Sequence, residues 1–183
     1  MSFRTAVATD AEGIAALHAD SWRRHYRGAY ADAYLDGDAL ADRRTVWSSR
    51  LAMPGADSVT ILAEAEASII GIVGFVHVVL DKDERWGSLV DNLHVTRGRQ
   101  RSGVGTALIT RAARAVRDRG TTAAMYLWVL EQNTEAQGFY AARGGKPAGR
   151  ELVPPPGGVP DRLNGRPACL RYVWPDVRDL LHG

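Results

Sequence analysis

The stretch Asp91-Asn92-Leu93-His94-Val95-Thr96-Arg97-Gly98-Arg99-Gln100-Arg101-Ser102-Gly103-Val104-Gly105-Thr106-Ala107-Leu108 passes from an apolar, strand-like segment through a basic glycine loop into a helix. The helical period shows from Val104, with Val104, Ala107, Leu108, Ala112, Ala115 and Val116 on one face and Arg111, Arg114 and Arg117 largely elsewhere, until Gly120 ends it. A helix N-terminus offers unpaired backbone N–H groups and the positive end of a dipole, which suits a diphosphate. Gly103 and Gly105 let the backbone approach closely, and Arg97, Arg99 and Arg101 add positive charge.

Such a loop serves several classes of phosphate-bearing ligand, so spacing must choose among them. No Gly-Lys-Ser/Thr ending follows, and the glycines do not form the G-x-G-x-x-G of a dinucleotide site. The pattern present is Gln-x-x-Gly-x-Gly over Gln100 to Gly105.

Upstream of this stretch the chain reads as a short strand at Phe3 to Val7 and then a helix capped by Asp10, whose apolar face carries Ile14, Leu17, His18, Trp22 and Tyr26. An aromatic-rich bend from Tyr26 to Tyr34 leads to a second helix over Leu40 to Leu51, closed by Met53-Pro54-Gly55. Strand chemistry then takes over at Val59 to Glu64, Ser68 to Leu80 and Gly87 to Val95, with turns at Glu66-Ala67 and Asp81 to Arg85, which predicts an antiparallel meander. Downstream, Ala123 to Leu130 reads as a strand, and Asn133 caps a helix holding Ala136, Phe139 and Tyr140 that stops before Gly144-Gly145. This strand-helix-strand-helix passage implies one parallel pairing. A Pro/Gly-rich loop, Val153 to Pro160, precedes a closing strand at Ala168 to Trp174. No repeat or linker divides the chain, so residues 1–183 read as a single domain.

Composition narrows the class. The 183 residues are 45% hydrophobic with a net charge of +2, enough to bury a core and too balanced to imply an acidic polymer or an anionic membrane. No clustered basic face with interleaved aromatics argues for nucleic acid. The single cysteine, Cys169, cannot form an internal disulfide, no His or Cys spacing argues for a metal, and the start Met1-Ser2-Phe3-Arg4 lacks signal-peptide features, so a cytoplasmic protein is expected. The apolar run Ile69 to Leu80 is too short for the roughly 20 residues of a membrane-spanning helix.

The Gln100 to Gly105 pattern resembles motif A of the GNAT N-acetyltransferase superfamily, a strand followed by (Q/R)-x-x-G-x-(G/A). That family's second motif is similar to Trp128-Val129-Leu130, Asn133, Phe139-Tyr140 and Gly144, and Trp22-Arg23-Arg24-His25-Tyr26-Arg27-Gly28 resembles the first helix of a common bacterial subgroup. The order of elements follows the family over nearly the whole chain. Arg97 departs from the proline often found there.

The resemblance implies an α/β (α+β) fold: a mixed, mostly antiparallel central sheet of about six or seven strands, splayed at its middle and flanked by about four helices. It implies acetyl-CoA as co-substrate without a metal. Leu93, His94 and Val95 would pair through their backbone with the pantetheine arm, and Gln100, Arg101, Ser102, Gly103, Val104, Gly105 and Thr106 would hold the pyrophosphate. Asn133 would act as helix cap, coenzyme contact or both. Tyr140 would protonate the departing thiolate, Asp91 is the carboxylate best placed as proton acceptor, and Trp22, Tyr26 and Tyr30 border the acceptor cleft. His94, whose imidazole titrates near neutrality, would matter more through its backbone than its ring. The acceptor is expected to be a primary amine of a small molecule. A protein or peptide amine, and a catalytically silent coenzyme-binding module, stay open. A homodimer is compatible with the family, with Tyr172-Val173-Trp174 as a candidate interface strand.

Overall fold

A computed structural model describes residues 1–65 and 71–181. The turn expected at Glu66-Ala67 and the expected strand start at Ser68 lie outside them. The chain opens with β1 (Ser2–Thr5) and a single 3-10 turn before helix α1 (Ala11–His25). Asp10 does not cap α1 with its side chain. Its carboxylate instead accepts the Val7 N–H at 2.8 Å and pairs with Arg4 at 2.7 Å, so it caps the preceding turn.

The predicted face of α1 is buried, with Ile14, Leu17, His18 and Trp22 turned inward. The aromatic bend contains the short helix α2 (Asp32–Asp36), followed by α3 (Ala39–Ala52). The count of helices is therefore five among the described residues, one more than expected, because five residues are too few to show a period.

The meander forms as read, with β2 (Ser58–Glu64), β3 (Ile72–Asp83) and β4 (Gly87–Val95) antiparallel. The last three positions of β3 extend past the expected end because Asp83 closes the turn, its carboxylate accepting the N–H groups of Arg85 and Trp86. Gly87 has φ +78°, and a Cβ there would stand 2.2 Å from the carbonyl oxygen of Ala124, so only glycine starts β4.

Then follow α4 (Val104–Arg119), β5 (Met125–Leu130), α5 (Thr134–Ala142), β6 (Lys146–Leu152) and β7 (Ala168–Trp174). The seven strands make one sheet in the order β1-β2-β3-β4-β5-β7-β6. Along β3, Phe75 and His77 meet α1 and α3 while Val76 and Val78 meet α4, the alternation a sheet covered on both faces requires. The closing strand β7 is inserted between β5 and β6, with Tyr172 and Trp174 buried. Both of its edges are paired, so the free strand edges are those of β1 and β6. Among the described residues no helix is long and apolar enough to cross a membrane.

One pairing positions the site. β4 and β5 run parallel but match only at Ser88, Leu89 and Val90 against Met125, Tyr126 and Leu127. Against β3, Val90 pairs with Val78 and Asn92 with His77, which leaves Asp91 as an extra residue in a bulge. A bulge bends its strand and increases the local twist. Beyond Asp91, β4 stays with β3 and β5 stays with β7, and the sheet splays open between them.

Candidate active site in the splay

The divergence of β4 and β5 opens a cavity of about 580 Å³. Its walls include the expected Asp91, Leu93, His94, Val95, Gln100, Arg101, Gly103, Gly105, Thr106, Asn133 and Tyr140, together with Tyr26. Four expected residues lie elsewhere. Ser102 turns its hydroxyl to the Arg99 carbonyl and closes the loop, while the side chain of Val104, the first residue of α4, is buried in the core. Trp22 and Tyr30 stand behind Tyr26, with Trp22 5.5 Å from the Tyr26 ring and 5.1 Å from Tyr30. There they support the wall without reaching the cavity.

At the loop end, Gly103 is the N-cap of α4 in the left-handed region, φ +85°, and Arg101 also has positive φ. No side chain caps α4, so the first N–H groups of a sixteen-residue helix stay available beside Gly105 and Thr106. An anion fits such a cradle by both hydrogen bonding and dipole. Arg101 lies 3.3 Å from Glu135 and is otherwise open to solvent.

Across the cavity, Asn133 accepts the Ala136 N–H at 3.1 Å, which makes it the cap of α5 as expected. That helix presents Tyr140, which is buried against Phe139, Tyr172 and Trp174. Burial pushes the Tyr140 phenol above its ordinary range, which keeps the proton on the oxygen at neutral pH.

The β4 side brings together residues far apart in sequence. Asp91 forms a 2.8 Å ion pair with Arg50 of α3 and accepts from the Asn92 amide. His94 places Nδ1 2.8 Å from the Ser21 hydroxyl, with its ring 4.5 Å from His18 and 5.2 Å from Phe75. Burial first, then His25 and Arg24, lowers His94 to about 3, so the ring is neutral. The Trp47 indole N–H donates to Nδ1 of buried His18 at 3.0 Å. Burial holds that ring neutral as well, with its proton on Nε2.

The cavity also takes in Ser21, His25 and Trp128, which sequence reading did not single out for it. Ser21 and His25 sit one turn apart on α1, so helical spacing carried a signal for them. The Arg171 guanidinium lies over the Trp128 ring, 4.3 Å from its centre. Among the described residues no three His, Cys, Asp or Glu side chains converge as a metal site.

The model of the "Acetyltransferase (GNAT) family" matches residues 14–144. The chain is 28% identical over 133 residues to the uncharacterized N-acetyltransferase YuaI of Bacillus subtilis, covering 73% of each. Its fold is similar to a GCN5-related N-acetyltransferase structure from Rhodopseudomonas palustris, with a TM-score of 0.69, 21% identity and coverage of 94% and 93%. It is also similar to the PaiA N-acetyltransferase of Thermoplasma acidophilum in complex with coenzyme A, with a TM-score of 0.67, 16% identity and coverage of 95% and 100%.

Proposed function

The chain belongs to the acetyltransferase (GNAT) family and is an acetyl-CoA-dependent acyltransferase; from that premise we propose that residues 1–183 act as one catalytic domain that acetylates a primary amine of a small molecule by direct attack. The observation that carries this reading is the splay itself, with an uncapped helix N-terminus at one end and a buried phenol facing β4 across the middle. A thioester whose diphosphate lies at that helix supplies the acyl group.

In this reading the backbone of Leu93 to Val95, which β5 leaves unpaired, takes the pantetheine arm as a strand would. The N–H groups from Gln100 to Thr106 hold the diphosphate. A backbone N–H near Val95 polarises the thioester carbonyl. As the amine nitrogen bonds to the carbonyl carbon and the carbon–sulfur bond breaks, Tyr140 donates its proton to the sulfur. The amine's surplus proton leaves toward β4, where Asp91 is the carboxylate and is held by Arg50.

A small acceptor is favoured by how the neighbouring segments are tied. Gln132, after β5, donates to the Arg27 carbonyl at 2.7 Å, and Ala31 and Asn164 donate to Arg162 and Ala29 at 3.0 and 2.9 Å. These bonds tie the α1–α2 segment to the residues after β5 and to the β6–β7 loop, and a fixed border of this kind favours a small acceptor. Purified protein incubated with acetyl-CoA and a panel of amines tests the proposal. Amine-dependent thiol release supports it, and release only with peptide amines contradicts the small-molecule acceptor.

A further inference from the structure

The acceptor end of the cavity has no uncompensated charge among the described residues. Of the ionisable side chains on its walls, Asp91 is paired with Arg50 at 2.8 Å and Glu135, which also acts on His25, with Arg101 at 3.3 Å. Around it, Arg43 is paired with Asp42 at 2.6 Å and Arg24 with Asp20 at 2.7 Å. That leaves two imidazoles, His25 and His94, each held below the ordinary histidine range chiefly by burial.

His94 is the better defined of the two. Its Nδ1 is engaged by Ser21, and its ring is wedged between His18 and Phe75. Among the described residues no group bonds its Nε2, which is also not among the buried polar atoms left unpaired. In the tautomer the proposal uses, Nδ1–H donates to the Ser21 hydroxyl and the lone pair of Nε2 faces the space that His94 lines. Tyr26 and Trp128 line the same cavity. Aromatic faces attract cations, but the Arg171 guanidinium, itself paired with Glu151 at 2.9 Å, already covers a face of Trp128.

We infer that the acceptor is a monoamine with an apolar or aromatic body, whose nitrogen docks on Nε2 of His94. The inference rests on the acetyltransferase reading and makes His94 a positioning residue for the amine, with the proton-accepting role left to Asp91. A polyamine or aminoglycoside would have to bury further ammonium groups with no free carboxylate to pair them, which is costly. A free amine needs only a lone-pair acceptor, and its apolar body displaces water from the two aromatic walls. In the step, nitrogen bonds to the acyl carbon, the carbon–sulfur bond breaks, the sulfur takes the Tyr140 proton, and the surplus proton on nitrogen leaves toward Asp91 while Nε2 only holds the nitrogen in place.

Thiol-release kinetics with 2-phenylethylamine and spermidine, compared at equal free-base concentration, test this in wild type, His94→Leu, His94→Gln and Asp91→Asn. The expected kcat/KM favours 2-phenylethylamine by at least about tenfold. His94→Leu lowers that value by about fiftyfold or more, while the thermal shift given by acetyl-CoA is retained. His94→Gln recovers part of the loss because its amide oxygen can accept from the same place, whereas Asp91→Asn lowers kcat with KM little changed. Equal or better turnover of spermidine, or a His94→Leu variant within about threefold of wild type, overturns the inference. If acetyl-CoA stabilises the protein but neither amine reacts, the nitrogen-15 resonances of the His94 ring are followed as 2-phenylethylamine is added to the coenzyme A complex. A shift supports the docking, and no shift overturns it while the coenzyme reading stands. No stabilisation by acetyl-CoA would instead sink the proposed function.

Discussion

Nδ1 of His94, on the splayed half of β4, lies 2.8 Å from the hydroxyl of Ser21 on α1, which ties the catalytic strand to the first helix across one wall of the cavity. Ser21 is itself buried. Ser21→Ala removes that partner and leaves a largely enclosed ring nitrogen unsatisfied, a loss of about 1–3 kcal/mol. Urea denaturation should show a lower midpoint at unchanged slope. An unchanged midpoint would mean that the ring is held by His18 and Phe75 alone.

Tyr140→Phe keeps the ring that packs on Tyr172 and Trp174 and removes only the proton donor. Thermal stability and acetyl-CoA binding should therefore stay close to wild type. If the phenol protonates the thiolate, kcat should fall by roughly 10²-fold or more. Steady-state thiol release checks both halves. A small change in kcat would assign Tyr140 to packing.

The parts of this site that could be read in the sequence are those written in consecutive residues. Gln100 to Gly105 carry their glycines at fixed spacing, and Asn133 stands three residues before the N–H it caps. The parallel β4–β5 pairing followed from the alternation of strands and helices. By contrast, His94 and Ser21 are 73 positions apart, and no local pattern announces that they meet. The bulge at Asp91 was equally hidden, because it exists only in the register of β4 against β3. The family resemblance sets Trp22 and Tyr30 at the acceptor cleft, yet they stand behind Tyr26, which reaches the cavity ahead of them.

Gly103 holds φ +85° with nothing within 4 Å of a Cβ, so an alanine there meets strain without a clash. Gly103→Ala should cost about 1–2 kcal/mol of stability and weaken acetyl-CoA binding, because the left-handed turn that aims the first N–H groups of α4 is then disfavoured. Gly87→Ala meets a carbonyl oxygen at 2.2 Å as well as the unfavourable φ. It should therefore be the more destabilising of the two. Calorimetry of the two variants and titration with acetyl-CoA separate the cradle effect from the fold effect.

Acid should destabilise the protein through its buried histidines. His77, bonded to the Thr60 hydroxyl, is lowered from 6.5 to about 4, chiefly by burial and next by Arg50, with Asp91 and Asp57 opposing. Because the unfolded chain binds the proton more readily, this contribution is complete above about pH 6.5 and is lost as pH falls toward 4. The gap corresponds to roughly 3 kcal/mol for His77, and His94 adds in the same direction. Stability measured at pH 7.5 and 4.5 should differ accordingly, and His77→Gln should reduce the difference. A profile that is flat between those values would contradict the buried neutral rings.

The most direct measurement is a crystal structure of the protein with acetyl-CoA. The account predicts the diphosphate against the backbone N–H groups between Gln100 and Thr106, the pantetheine arm along Leu93 to Val95, and the thioester sulfur within hydrogen-bonding reach of the Tyr140 hydroxyl. Coenzyme bound elsewhere, or a sulfur that faces away from Tyr140, would contradict it.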